Sequence, residues 1–314
     1  MNENLSFAVA ICTWNRASLL RQTLERLAGI PWPAQATELI LVDNGSTDDT
    51  PAVAASFSSR LPMRIVREAD PGLSNARNRA LKEATTTHVL FTDDDVLVSD
   101  EWLGAFAAAI LKYPQAAVFG GPIEPWFQES PARSLAEAFP MLSSGFCGLD
   151  HGRAEGVLPA PLEVYGANMA FRRAALGNLR FDPRMGPSRG ASVTSEETAL
   201  IDQIRSAGSE VVWVPLMQVK HYVDPRRMRL LYLLRYCHEL AMGQVMRHGA
   251  PEGATIAGVP RWVLRVTARH AARAFWKALT GDRIETLVSL RTCSYFSGIA
   301  RQSYRSSHPG RATA

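Results

Sequence analysis

The chain has 314 residues, 46% hydrophobic and 20% charged, with 22 Gly and 19 Pro in no regular period. This excludes wholesale disorder and collagen-like or low-complexity chains, and the length accommodates one large domain or two modest ones with a core of their own. The net charge of +4 is unevenly placed: from His221 onward 15 Lys and Arg face 5 Asp and Glu, whereas the first 220 residues hold 19 against 25, which points to an acidic partner for the C-terminal part, nucleic acid or an anionic membrane surface.

Cys12, Cys147, Cys237 and Cys293 are scattered, with no CxxC pair. A disulfide framework or zinc ribbon is not expected, and a reducing cytoplasm fits. No apolar run reaches the ~18–20 residues of a spanning helix, and the first residues lack the basic stretch and small-residue cleavage site of a signal peptide.

In chain order, residues 7–12 (FAVAIC) form an apolar, β-prone run that stops at Thr13-Trp14-Asn15-Arg16. Residues 17–28 read as a helix with Leu19, Leu20, Leu24 and Leu27 on one face and Gly29 closing it. A second strand at 38–42 ends at Asp43-Asn44-Gly45-Ser46, followed by a helix over 47–58 and a short strand over 63–67. The turn Asp70-Pro71-Gly72-Leu73 leads into a helix over 74–84, and a strand over 88–92 ends at Asp93-Asp94-Asp95. A helix over 101–112 and a strand over 116–120 follow. Alternation of this kind predicts βαβ units and a mostly parallel sheet. Residues 121–165 are irregular; 164–171 and 211–214 read as strands and 194–207 as a helix. After about Pro225 the pattern is helical, notably over 226–247 and 261–277, and residues 305–314 look frayed. The expected division is 1–224 and 225–314, without internal repeats.

Three polar clusters, at 13–16, 43–46 and 93–95, sit at the carboxyl ends of predicted strands. In open α/β sheets ligands bind there, and a parallel sheet would bring all three to one rim. Adjacent carboxylates at 93–95 repel one another. They make sense as hard-oxygen ligands for Mg²⁺ or Mn²⁺ shared with substrate phosphates, or alternatively as a cap on the next helix. Residues 43–46 also fit a simple Asx turn. Neither a G-x-G-x-x-G fingerprint nor a Walker lysine motif occurs.

Residues 8–16 (AVAICTWNR), 40–49 (ILVDNGSTDD), 70–79 (DPGLSNARNR) and 89–95 (VLFTDDD) resemble, in order and spacing, the successive motifs of family-2 glycosyltransferases. The resemblance runs from about residue 6 to 224. It implies the GT-A fold, a Rossmann-like, mostly parallel twisted sheet with helices on both faces, here with a C-terminal helical extension. It also implies an inverting, metal-dependent single displacement from a nucleotide sugar, usually UDP-linked, to a hydroxyl of a glycan or lipid-linked acceptor.

By that resemblance Thr13, Asn15, Arg16, Asp43 and Asn44 lie beside the nucleotide. Ser74, Arg77 and Asn78 line the nucleotide-sugar pocket, and Arg77 suits a phosphate or a carboxylate such as Asp93. Asp93-Asp94-Asp95 is the D-x-D-type motif: Asp93 is the ribose or metal-side member, Asp94 a nucleotide-sugar contact, Asp95 the direct ligand of Mn²⁺ or Mg²⁺, and His221 a further metal or phosphate contact. Thr194-Ser-Glu196-Glu197 resembles the segment that carries the catalytic base, with Glu197 in register and Glu196 the competing candidate. The same residues also fit a capping box in which Thr194 pairs with Glu197. Trp126, Gly166 and Asn168 fall near the acceptor or donor sugar.

Two other classes compete: a non-catalytic nucleotide-sugar-binding protein on the same fold, and a nucleic-acid binder using the basic C-terminal part. The latter lacks any recognisable nucleic-acid-binding signature, so no nucleic-acid partner is expected. Residues 226–277 carry aromatic and basic side chains together, with Arg261, Arg265, Arg269, Arg273 and Lys277 four apart. They fit either a soluble helix with a solvated basic face or a peripheral helix on the inner face of the cell membrane.

Overall fold

The computed structural model describes residues 5–184 and 196–308. Its elements begin with β1 (Phe7–Thr13), α1 (Ala17–Ala28), β2 (Ala36–Asp43), α2 (Thr50–Ser56), β3 (Met63–Arg67) and α3 (Leu73–Glu83). β4 (His88–Asp93), β5 (Val96–Val98), α4 (Trp102–Lys112), β6 (Val118–Gly120) and β7 (Ile123–Trp126) follow. After α5 (Arg133–Glu137) and α6 (Phe139–Leu142) come β8 (Gly156–Val157), β9 (Asn168–Arg172), α7 (Arg173–Leu176), α8 (Glu196–Ser206), β10 (Val211–Trp213) and β11 (Val219–Tyr222). The remainder holds α9 (Leu230–His248), the short pair β12 (Thr255–Ile256) and β13 (Val259–Pro260), α10 (Arg261–Leu279) and α11 (Arg283–Ser307). The predicted helix over 194–207 begins outside the described residues and is seen from Glu196.

The described residues fall into two units. The first takes the chain up to Trp126, the stretch from Cys147 onward and Glu196–Tyr222; the second takes Phe127–Phe146 and the chain from Val223. In the first, eight strands form one sheet in the order β3-β2-β1-β4-β9-β6-β10-β8. β1 pairs in parallel with β2 and β4, β2 with β3, and β6 with β10. The mostly parallel expectation therefore holds, with β9 inserted antiparallel between β4 and β6.

Alternation along β1 explains the layering, since successive strand residues face opposite sides. Phe7, Val9 and Ile11 pack with Leu20, Leu24 and Leu27 of α1, Val53 of α2 and Phe106 and Ile110 of α4. Ala8 and Ala10 face the other layer, with Ala76, Ala80 and Leu81 of α3 and Leu200, Ile201 and Ile204 of α8. Each buried leucine contributes roughly 1.5–3 kcal/mol, so two such layers fix which ends of β1, β2 and β4 emerge together. A second, three-stranded sheet, β5-β11-β7, was not read from the sequence.

In the second unit α11 packs against both α9 and α10. Gly298 lets α11 approach closely, because a Cβ there would collide with the His238 carbonyl. The helix runs unbroken to Ser307, so the expected fraying from residue 305 does not occur before the end of that helix. No described helix is long and apolar enough to cross a membrane.

Candidate active site

Parallel register brings the three polar clusters to one rim. Thr13 pairs with Asp43 across β1 and β2, and Cys12 with Asp93 across β1 and β4. The Asn44 amide then donates to the Thr13 carbonyl at 2.9 Å. The aspartates do not cap a helix: Asp93 ends β4, and Asp94 and Asp95 form the turn into β5. Thr13 Oγ1 donates to Asp94 Oδ2 at 2.6 Å, and Thr23 of α1 donates to the Asp94 carbonyl at 3.0 Å while accepting from the Val96 amide at 3.2 Å. Burial, and after it the charge of Asp95, push the Asp94 carboxyl up to about 7 against the opposing Thr13 bond.

The small sheet delivers the histidine. β5 pairs antiparallel with β11, setting Val96 opposite His221, and the Tyr222 amide donates to the Asp95 carbonyl at 2.9 Å. His221 Nδ1 lies 2.8 Å from the Tyr222 carbonyl, which can only accept, so Nδ1 carries the hydrogen and Nε2 faces the carboxylates. Nε2 is 3.5 Å from Asp93 and 3.4 Å from Asp95. One ligand atom from each of the three residues lies within 4.8 Å of the others. Burial opposes a charge on His221, but Cys147, Asp95 and Asp93 outweigh it and hold its pKa well above the usual value.

Arg77 ties this cluster to the helix carrying the candidate base. Its buried guanidinium lies 2.7 Å from Glu196, 3.6 Å from Asp93 and 3.9 Å from Glu197. It also covers the Phe181 ring with its guanidinium carbon 5.6 Å from the ring centre. Burial works against its charge, and the carboxylates of Glu196, Glu197 and Asp93 more than offset that. Gly166 makes room for it, because a Cβ there would collide with the guanidinium. The Glu196 side chain is buried; Glu197 retains 16% exposure and a buried Oε2 with no hydrogen-bond partner among the described residues. Thr194, its expected capping partner, lies outside the described residues.

A cavity of about 250 Å³ opens beside the rim, lined in part by Thr13, Trp14, Arg16, Asn44, Gly72 and Asp94. Arg16 reaches from it to Asp95 at 3.4 Å. Several residues expected to touch ligand also hydrogen-bond within the protein. Asn15, at φ 52°, accepts from the Thr47 amide at 2.7 Å, and Asp43 accepts from the Ser46 amide at 3.0 Å. Asn44 accepts from the Gly72 amide at 2.7 Å and donates to the Glu68 and Asp70 carbonyls, pinning the 68–72 turn to the rim.

Ser74 donates to the Asp182 carbonyl at 3.1 Å, and Asn78 exchanges two hydrogen bonds with Phe181. These two residues of α3 thus brace the 181–182 segment. Asn168, expected near the acceptor or donor sugar, turns its side chain into the protein. It is wholly buried, accepting from Trp102 Nε1 at 2.9 Å and donating to the Pro122 and Met217 carbonyls. Arg77 meets Asp93, as its expected carboxylate partner, and Glu196 more closely. Trp126 is half-buried, with its ring edge-on to Tyr222 at 5.8 Å.

Sequence reasoning missed Cys147, which hydrogen-bonds His221, and Tyr165, whose phenol is held up at about 12 by burial and then by Glu163 and Glu197. No motif marks either; the positive φ of 58° at Cys147 appears only in three dimensions.

Residues 8–177 match Glycosyl transferase family 2. Validoxylamine A glucosyltransferase of Streptomyces hygroscopicus subsp. jinggangensis is 33% identical over 138 residues, covering 42% of this chain and 33% of the relative. A PGL/p-HBAD biosynthesis glycosyltransferase of Mycobacterium bovis is 36% identical over 121 residues, 37% of this chain and 46% of the relative. The chain thus spans a third to under half of the length of these curated relatives. Among solved structures, the mannosyltransferase PcManGT from Pyrobaculum calidifontis, in complex with GDP-Man and Mn²⁺, superposes with a TM-score of 0.65 at 19% identity, covering 96% of this chain and 88% of that one. S. aureus TarS 1–349 with UDP-GlcNAc gives 0.55 at 16% identity, covering 96% and 92%. These likenesses show the GT-A fold.

Proposed function

Because the chain belongs to glycosyl transferase family 2, we propose that it moves a sugar from a nucleotide-sugar donor, a UDP-sugar first among the candidates, to a hydroxyl of a glycan or lipid-linked acceptor with inversion. The observation that carries this reading is the convergence of Asp93, Asp95 and His221 on one point, linked by Arg77 to Glu196 and Glu197. Two carboxylates and an imidazole suit Mn²⁺ or Mg²⁺, since hard oxygens and, once Nε2 gives up its proton, a ring nitrogen are ligands these ions accept. Bound there, such an ion supplies positive charge for the departing nucleoside diphosphate.

The rest falls to side chains of the chain. The cavity beside Thr13, Arg16 and Asn44 takes the nucleotide. Glu197 accepts the proton of the acceptor hydroxyl as that oxygen bonds to C1, and the C1–O bond to the diphosphate breaks with its electron pair leaving on the phosphate. Glu196 is committed to Arg77 at 2.7 Å, while Glu197 keeps an oxygen without a hydrogen bond; that contrast supports Glu197 as base and Glu196 as the group that holds Arg77. The proposal is tested by donor turnover. Glu197→Gln is expected to bind UDP as the wild type does and to lose roughly 10²–10⁴-fold in turnover. Full turnover in that variant would remove Glu197 from the reaction.

A further inference from the structure

α10 carries a second apolar face that no described residue covers. Val263 and Ala274 are buried and His270 half-buried on the side that packs against α11. At about 100° per residue, Leu264, Ala268, Phe275 and Leu279 fall about 100–160° around the helix from Val263, and all four are exposed. Phe275 is 70% exposed, Trp276 64% and Leu279 67%. Such values are unusual for large apolar side chains gathered at one helix end. Arg265 and Arg269 run alongside this strip, next to Trp276 on the helix wheel.

The charge is as one-sided as the exposure. α10 has five Arg and Lys and no acidic residue. Arg273 is held by Glu285 at 2.6 Å and Lys277 by Asp282 at 2.9 Å. Arg261, Arg265 and Arg269 have no ion-pair partner among the described residues. Trp262 is excluded from the strip, since its indole donates to the Glu252 carbonyl at 3.0 Å and its ring meets Phe296 edge-on.

We propose that this face of α10 lies on an anionic lipid bilayer, with Phe275, Trp276 and Leu279 in the headgroup–acyl boundary and Arg265 and Arg269 against lipid phosphates. An apolar strip edged by arginine and ending in aromatic residues is what an interfacial helix requires. Unpaired cations beside it supply attraction to a negative leaflet. A second copy of the chain would bring the same cations to the same place, so self-association through this face is opposed by charge. Nucleic acid would use the arginines but leave the aliphatic strip in water.

The test uses the full chain and does not depend on transferase activity. Co-sedimentation is measured with vesicles of phosphatidylcholine alone and of phosphatidylcholine mixed with phosphatidylglycerol. The wild type is expected to pellet with the anionic vesicles and far less with the neutral ones. Phe275→Ser/Trp276→Ser/Leu279→Ser is expected to weaken partitioning at least about tenfold, and Arg265→Ala/Arg269→Ala about fivefold per arginine. These side chains are exposed, so unchanged circular dichroism and thermal midpoint confirm that the variants fold. Wild type that stays in the supernatant, or a triple variant that pellets like the wild type, overturns the proposal. So does a solution dimer that the triple variant breaks apart, or RNA retention in place of vesicle binding.

Discussion

Arg77 is the residue on which the site is strung. One planar cation serves three carboxylates from two elements, Asp93 at the end of β4 and Glu196 and Glu197 at the start of α8. A buried carboxylate that loses its partner is costly, so Arg77→Ala is expected to destabilise the fold by about 3–5 kcal/mol. Lysine offers no fork and cannot span the same oxygens. Gly166→Ala probes the same cation from outside: its new methyl group overlaps the Arg77 guanidinium, which must shift from its carboxylate partners to admit it, and a loss of about 1–3 kcal/mol is expected. Urea unfolding checks both; a Gly166→Ala midpoint equal to that of the wild type would contradict the packing described. The sequence offers Arg77 as a partner for a phosphate or a carboxylate such as Asp93, but does not show that Glu196 would be its closest partner, because residues 119 apart meet only through the fold. Nor does it show that Asn168, Ser74 and Asn78 would be spent on neighbouring backbone.

At the scale of elements, what was legible followed from length and pattern. β1, β2 and β4 are apolar runs that stop at polar clusters, and each appears within a residue or two of its expected bounds. β5 and β11, three and four residues long, are too short to carry a period, yet they bring His221 to the aspartates. The antiparallel entry of β9 was equally hidden, since strand direction is set by tertiary pairing rather than by composition.

β4 also makes a prediction about pH. His88, its first residue, is wholly buried, edge-on to Phe106 and Phe119, with Nε2 unpartnered among the described residues. Burial, and then the charge of Arg172, lower its pKa from 6.5 to about 4. The unfolded chain therefore takes up a proton below pH 6.5 that the folded chain refuses until about pH 4. Stability contributed at neutral pH is lost as pH falls through that window, by about 3 kcal/mol in all. Urea midpoints across that range are expected to fall more steeply in the wild type than in His88→Leu; equal slopes would show that this histidine is not the cause.

For the whole molecule, the resemblance to family-2 glycosyltransferases and the solved neighbours agree on one architecture, and the rim where β1, β2 and β4 end is where its chemistry gathers. The C-terminal helices stand outside the matched residues 8–177, so their sequence offers composition but no motif. From sequence a solvated basic face and a membrane-surface face both stay open; the exposed apolar strip of α10 is what favours the second.

Asp93, Asp95 and His221 are proposed to hold a divalent cation which in turn holds a nucleoside diphosphate. Calorimetric titration of UDP and GDP, with Mn²⁺ present and then removed by chelation, tests it directly. Binding that requires Mn²⁺ and disappears in Asp95→Ala, while Glu197→Gln keeps it, is the expected result. Equal affinity with and without the ion, or an Asp95→Ala variant that binds as the wild type does, would contradict it.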